Sequence, residues 1–128
     1  MKCITIAQPW AWAILAGLEN VAYLCHRTDY RGDLLIYASL NAGCWDREQL
    51  ALYGPSVPRW EDLPRGMVFG LVDLWACHPG KQGEWAWVLR NPRFIEPVLA
   101  RPGKGLYDVN IRHIRVLPPV TPARSACS

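Results

Sequence analysis

The stretch Ile4–Gly17, ITIAQPWAWAILAG, decides the fold, because it passes from a strand pattern to a helix pattern across one proline. Lys2 to Ile6 alternates apolar residues with Thr5 and predicts a first strand. Pro9 suits the first position of a helix, since its missing N–H would have no partner there, and WAWAILAG continues the helix to a Gly17 cap. The stretch therefore predicts a strand, a sharp turn and a helix.

The next hundred residues predict short strands and one more helix. Val21–Cys25 and Leu34–Ala38 form a hairpin-like pair of strands around the turn former-rich segment 28–32. Asp46 is a good N-cap for a helix over Arg47–Leu52, which Gly54-Pro55 ends. Further strands are predicted at Met67–Cys77 with a bulge at Gly70, at Glu84–Leu89 and Phe94–Leu99 around an Asn91-Pro92 turn, and at Leu106–Asn110.

These elements predict an α+β fold: a small mixed β-barrel with two or three short helices. The 128 residues are enough for one domain with one core, and 51% of them are hydrophobic, too many for a disordered chain. We expect the domain to span residues 1–117, followed by an extended, proline-containing tail at 118–128.

Several function classes are disfavoured by composition. The apolar run Pro9–Gly17 is only about half of the ~20 residues that a membrane span needs, and no signal-peptide pattern follows it. Five cysteines make an odd count without a C-x-x-C pair, which argues against a disulfide framework, and Cys77-His78 is at most half of a zinc site. We therefore expect a cytoplasmic protein with no membrane partner, no metal and no cofactor.

The basic residues are mostly arginines, which suit phosphate forks and base stacking better than lysines do. The formal net charge is +3, and the chain from Arg101 onward holds five basic residues against one acid. A basic end on a nearly neutral body is typical of a phosphate-binding surface.

Several motifs resemble the ASCH domain family of the PUA-like superfamily, in the family's order and over nearly the whole chain to about Asn110. They are ITIAQPWAWAI at 4–14, YRGDLLIYAS at 30–39, MVFGLVDL at 67–74, WAWVLRNP at 85–92 and the Gly-x-Gly-Leu-Tyr of 103–107. The resemblance implies a PUA-like pseudo-barrel with a positively charged cleft beside the first helix and a role with RNA. Some relatives are RNA-cleaving enzymes or amidohydrolases that act on acetylated cytidine.

The chain departs from this family at its usual polar positions. After the glycine that ends the first helix, the family usually has a lysine, a glutamate and an arginine where this chain has Glu19, Ala22 and Leu24. Tyr37 also replaces the usual histidine before Ala38. Because proton transfer needs such groups within hydrogen-bond reach, a binding protein is preferred to an active enzyme.

Six residues are predicted to bind RNA or a nucleotide. Gln8 and Trp10 flank the turn into the first helix, whose free N–H groups favour an anion. Arg27, Tyr30 and Arg31 offer two guanidinium groups and an aromatic face, the mix that single-stranded nucleic acids use. Ser39 follows the third strand and is placed to bond a base edge or a ribose hydroxyl.

Structural roles are alternatives for these same residues. Asp29 and Asp33 would pair locally with the arginines of the turn, and Ser39 and Asn41 would cap the second helix. Trp12 is expected in the core. The chain has seven tryptophans, more than its core requires, so at least one is expected to be exposed for stacking, with Trp45, Trp75, Trp85 and Trp87 as candidates.

The sequence thus predicts an RNA- or nucleotide-binding protein with a basic, aromatic-lined cleft. One alternative is a small hydrolase, a ribonuclease or acetylated-cytidine amidohydrolase, in which Tyr30, Lys81 or Glu84 replaces the missing groups. Another is a protein-interaction module that uses exposed tryptophans. The oligomeric state is left open, with a monomer slightly favoured.

Overall fold

The computed structural model describes residues 1–8, 10–40, 62–111 and 113–118, which form a six-stranded mixed sheet and one α-helix. The strands lie in the order β2-β5-β4-β3-β1-β6; β1 and β3 are parallel, and the other neighbours are antiparallel. The elements are β1 (Lys2–Ile6), α1 (Trp10–Leu15), β2 (Val21–Leu24), β3 (Gly32–Ala38), β4 (Met67–Pro79), β5 (Trp85–Leu99) and β6 (Tyr107–Asp108).

The sheet curls into a half-barrel that brings its two edge strands towards each other. His26 follows β2 at one edge, and Gly105 precedes β6 at the other. A Cβ placed on Gly105 would lie 3.2 Å from Nε2 of His26. The small barrel-like fold is therefore confirmed at this coarse level.

The expected two or three helices are a wrong prediction for the part of the chain described, which contains α1 alone. Beyond Gly17 the described residues are mostly alternating or continuous apolar runs, whose backbone groups are paired in the sheet. The helix predicted at Arg47–Leu52 and the predicted tail, apart from Pro118, lie outside the described residues. Within those residues no helix has the length and apolar character needed to cross a bilayer.

Two glycines shape the contact between α1 and the sheet: Gly17 ends the helix, and Gly70 lies on β4 beneath it. Gly17 has φ +83°, and the N–H of Leu18 donates to the carbonyl of Ala13 at 2.9 Å, which is the Schellman pattern at a helix end. At Gly70 the pairing of β3 and β5 with β4 shifts register, which confirms the predicted bulge. A Cβ on Gly70 would lie 2.7 Å from Cγ of Leu15, so a larger residue at position 70 would force the Leu15 side chain to move.

Two predictions about strand connections are wrong. β2 and β3 are not partners, since β2 pairs with β5 at the sheet edge while β3 lies between β1 and β4. β5 runs continuously through Asn91-Pro92, where a turn was predicted. Asn91 takes φ 53°, which asparagine tolerates, and the register shift beside it lets the strand bend without reversing.

The sheet buries an apolar layer on each face. Along β3, Leu34 and Ile36 join the inner cluster with α1 and Trp87, whereas Leu35 and Tyr37 join the outer cluster. That outer cluster is covered by the segment after β6, which includes Ile111 and Ile114. Tyr37 is thus a core residue with 1% exposure.

Candidate nucleic-acid interface

The six predicted binding residues lie at the two ends of β3 and do not form one cleft. Arg31 immediately precedes β3 and Ser39 follows it, so its seven residues separate them, roughly 23 Å at about 3.3 Å per residue. Gln8 and Trp10 lie at the Ser39 end, because β1 is parallel to β3 and the N–H of Ser39 donates to the carbonyl of Ile6 at 3.1 Å. Arg27, Tyr30 and Arg31 therefore form a separate group.

Gln8 is a buried structural residue. Its exposure is 0%, its Oε1 accepts from the N–H of Trp12 at 2.9 Å, and its Nε2 donates to the carbonyl of Pro64 at 2.8 Å. The first acceptor serves one of the N–H groups that the start of a helix leaves unpaired. The side chain therefore joins β1, α1 and the segment before β4.

Trp10 and Ser39 are both half-buried near that end of the sheet. Trp10 packs against the inner cluster, and Trp12 is buried there with 9% exposure, as predicted. Pro9 and Asn41, which the sequence associates with these two residues, lie outside the described part of the chain. This end is consequently occupied mainly by packing contacts.

Both arginines of the β2–β3 connection are held by contacts within that connection. Arg27 Nη2 lies 2.7 Å from Asp29 Oδ1, with side-chain exposures of 61% and 82%. Arg31 Nη1 donates to the carbonyl oxygens of Thr28 and Tyr30 at 3.1 and 2.8 Å. The local pairing with Asp29 is therefore present, and both guanidinium groups remain at the surface with further N–H donors.

Tyr30 packs between the β2–β3 connection and the inner cluster. Its ring packs against the inner cluster, and its hydroxyl donates to the carbonyl of Asp33 at 2.6 Å. The ring position is fixed on both sides, because the N–H of Tyr30 also donates to Thr28 Oγ1 at 3.1 Å. The aromatic face is thus held in place beside the two arginines.

Connections 25–31 and 80–84 adjoin at this end of the sheet, and the segment 103–106, which starts beside Thr5 on β1, approaches the first of them through Gly105; we call these three segments the cationic rim. Leu24 and Pro79 both pair with Trp85, so the β4–β5 connection lies next to the residues that follow β2. His26 brings in the third connection through its contact with Gly105. The cations of the rim are Arg27, Arg31, Lys81 and Lys104.

Lys81 and Lys104 differ from the two arginines in their surroundings. Both lysines are exposed and form no ion pair with any described residue. Their charges are therefore free to meet an anion without breaking an internal contact. The only carboxylates on the rim itself are Asp29, which pairs with Arg27, and the half-buried Glu84.

His26 is a rim residue that the sequence analysis missed. Its ring meets that of Trp87 edge-on at 5.1 Å, and its carbonyl accepts from Trp87 Nε1 at 3.0 Å. Nε2 of His26 is buried without a hydrogen-bond partner and faces Gly105, whose φ is +60°. The sequence around His26 does not indicate that it faces Gly105, because the two residues come together only where opposite edges of the sheet meet.

A buried hydroxyl–thiol group underlies the β6 side of the rim. Tyr107 Oη lies 3.0 Å from Thr5 Oγ1, and Cys3 Sγ donates to Tyr107 at 3.5 Å. Burial raises the pKa of the Cys3 thiol from 9.0 to about 11, and burial also raises the pKa of Tyr107. Both groups are protonated at neutral pH, so they stabilise the sheet edge and supply no nucleophile there.

Two of the three positions at which the ASCH family usually carries polar groups are apolar and lie inside this sheet. Ala22 has 6% exposure, and Leu24 is half-buried in the same inner cluster. Glu19 lines a groove of about 380 Å³ beyond the end of α1, together with Asn20 and Arg90. No three potential metal ligands cluster among the described residues.

The residues suggested as replacements in a hydrolase all belong to the rim region. Tyr30 donates its hydroxyl proton to a main-chain carbonyl, which occupies it. Lys81 and Glu84 lie on the β4–β5 connection, and neither forms an ion pair within the described ranges. The structure thus shows no assembled acid–base pair among these three side chains.

Comparison with known proteins identifies no family and no relative for this chain. The chain matches no family model, and no curated protein matches it. The similarity to the ASCH family consequently rests on the motifs alone.

Proposed function

We propose that this chain is a cytoplasmic, ASCH-like protein that binds RNA or a nucleotide without cleaving it, and that it binds the phosphate groups at the cationic rim. The observation that carries the proposal is that the connections bearing Arg27, Arg31 and Lys81 adjoin at Trp85, while His26 faces Gly105, the neighbour of Lys104. Two half-buried rings, Tyr30 and Trp85, belong to this region. Cations that contact phosphates beside rings that stack on bases are the usual elements of single-strand binding.

The charge distribution supports ligand binding over internal stabilisation. Lys81 and Lys104 have no ion pair among the described residues, and exposed cations of this kind contribute little to the stability of a fold. Phosphate contacts would release counterions from the nucleic acid, which makes their contribution depend on salt. The rim is therefore better explained by an anionic ligand than by folding.

Two further observations support the compartment and the binding role. Cys3, Cys25 and Cys77 are free thiols, which fits a reducing compartment. Ala22 and Leu24 pack in the apolar cluster where the resembled family has a glutamate and an arginine. This packing favours a binding protein over the hydrolase alternative.

The test is a titration of fluorescently labelled single-stranded RNA of about 12 nucleotides, followed by anisotropy over a range of salt concentrations. Each phosphate contact contributes about 0.7 to the slope of log K against log salt for a single strand, so Lys81→Gln and Lys104→Gln should each reduce the slope by about that amount. Charge reversal at Arg31 should weaken binding to all sequences alike.

Arg115→Gln is the matched control for these substitutions. Arg115 belongs to the basic end of the chain, but it lies near Glu96 beside the far half of β5, outside the three segments of the rim, and its side chain is 81% exposed. Its replacement should leave both affinity and slope unchanged. Absence of binding at low salt, or binding that does not respond to salt, would refute the proposed function.

A further inference from the structure

The outward face of β2, β5 and β4 carries exposed aromatic rings and cations. Tyr23 on β2 has 61% exposure and Trp75 on β4 has 58%. His78 and Arg90 are exposed on the same face. We call these four residues the outer platform.

Strand register places the platform residues next to one another. Tyr23 and His78 both pair with Ala86, so they form one row across the three strands. Trp75 lies at the irregularity between Leu74 and Ala76, two strands away from Tyr23. Neighbouring strands are about 4.8 Å apart, so the rings are separated by roughly 10–15 Å when the offset along the strands is included.

Small side chains lie between the two rings. Ala86 separates Tyr23 from His78, and Ala76 pairs with Val88 in the next row. None of these three apolar side chains rises as high as a ring above the sheet. The surface between the rings is therefore low and accessible to a flat group.

A positive charge, that of Arg90, lies over the Trp75 ring on this face. The Arg90 guanidinium lies 4.1 Å from the centre of the Trp75 ring. Asp73, which pairs with Arg90 across the strands, bonds instead to Arg93 at 2.9 Å and to Asn91 at 3.5 Å. Arg90 thus forms no ion pair with a residue in the described ranges, and its charge lies beside an exposed ring.

We propose that the outer platform binds unpaired bases of a single-stranded nucleic acid, with Tyr23 and Trp75 each stacking one base and Arg90 contacting a phosphate. This inference rests on the proposed function and adds the ligand class: a strand whose bases are free to leave the helix. In a duplex the base faces are already stacked on one another and cannot meet these rings.

Continuity with the rim favours a nucleic acid over a protein partner. The row of Tyr23 and His78 lies next to Pro79 and the β4–β5 connection, where Lys81 belongs to the cationic rim. One extended strand could therefore contact the rim with its phosphates and the platform with its bases. A protein interface would require a larger apolar core than two separated rings provide.

The experiment uses the same labelled RNA with variants of the two rings. Tyr23→Ala and Trp75→Ala should each weaken binding by about 5- to 150-fold, the range expected for loss of one stacked base. Tyr23→Phe and Trp75→Phe keep a ring and should remain close to the unmodified protein. Leu18→Ala, which removes an apolar side chain of 40% exposure at the end of α1, is the matched control.

The salt slope separates this proposal from the proposed function. Stacking releases no counterions, so Trp75→Ala should lower affinity without changing the slope, whereas Lys81→Gln changes the slope. An unlabelled duplex of the same sequence should compete poorly with the single strand. The alanine variants are first compared by thermal unfolding; if one is unstable, Tyr23→Leu or Trp75→Leu, which keeps apolar bulk without an aromatic face, replaces it and should weaken binding to a similar extent.

Three results would overturn the platform. If the protein binds RNA with a normal salt slope but both alanine variants bind within twofold of it, the platform is wrong and the rim remains. If Trp75→Ala instead abolishes self-association in sedimentation experiments, the surface belongs to a second copy of this chain. If no RNA binds at low salt, the proposed function fails and the platform fails with it.

Discussion

Replacing Gln8 tests whether this residue binds a ligand, as the sequence predicts, or holds the fold, as its contacts indicate. Gln8→Met keeps the approximate length of the side chain but removes both polar atoms. It leaves the N–H of Trp12 and the carbonyl of Pro64 without their partners at 2.9 and 2.8 Å. An unsatisfied buried group costs about 1–3 kcal/mol, and Pro64 is only half-buried, so the expected loss is about 2–4 kcal/mol.

The assay is urea unfolding, combined with RNA titration of the folded variant. Gln8→Met should lower the free energy of unfolding with an unchanged m-value, while the affinity of the folded protein for RNA stays within about twofold. Gln8→Glu is a second variant that keeps an acceptor for Trp12 but cannot donate to Pro64 when ionised. A Gln8→Met protein that is fully stable and yet loses RNA affinity would refute the structural role.

Three further predictions concern stability. Gly70→Ala should lower the free energy of unfolding by about 1–3 kcal/mol, because the added Cβ overpacks against Leu15. The double variant with Leu15→Ala should lose less free energy than the sum of the two single losses. Losses that add within about 0.5 kcal/mol in urea unfolding would contradict this contact. Burial raises the pKa of Cys3 from 9.0 to about 11, so the unfolded chain loses this proton first. The free energy of unfolding should therefore be intact below about pH 9 and fall towards pH 11, and Cys3→Ala should make that fall shallower when both proteins are unfolded in urea at each pH. Tyr107→Phe should cost about 1 kcal/mol by removing the hydroxyl contact with Thr5, without changing RNA affinity in the anisotropy titration.

Local signals in the sequence predicted those features that depend on local chemistry. Alternating residues identified the strands, Gly17 gave the helix cap and Gly70 gave the bulge, because each depends on the residue's own backbone conformation or its near neighbours. The Asn91-Pro92 pair was misinterpreted for the same reason. A turn and a bulge share these residue types, and only pairing with β4 keeps the strand from reversing at them.

The site was harder to predict than the fold because it depends on which strand ends share an edge of the sheet. Arg27, Tyr30 and Arg31 lie close in sequence and stay together, whereas Gln8 and Ser39 lie at the other end of β3. Nothing in a single sequence specifies that distance, since the parallel pairing of β1 with β3 joins segments far apart in the chain. Lys104 belongs to the rim only because its neighbour Gly105 faces His26 across the sheet edges, which sequence spacing does not reveal.

The same limit explains why the outer platform was not predicted. Seven tryptophans predict at least one exposed ring, and the 58% exposure of Trp75 confirms this, but its partner Arg90 lies on the next strand of a long hairpin. Two register shifts between β4 and β5 lie close to this pair, and each shift alters which residues face outward. Alternation counted along either strand alone therefore gives the wrong neighbour.

The apolar interior and the charged exterior follow from one constraint. A glutamate and an arginine at positions 22 and 24 would have to be desolvated together in the space where Ala22 and Leu24 now pack with Trp87, and a buried ion pair repays that cost only with additional hydrogen bonds. Because Ala22 and Leu24 are apolar, the inner cluster has no desolvation cost at these positions and no acid–base group there. In the proposed function, cations at the rim and rings on the outer platform keep contact with water until a ligand arrives, so a phosphate or a base is recognised without destabilising the core. The proposed binding role at the surface is therefore compatible with this interior.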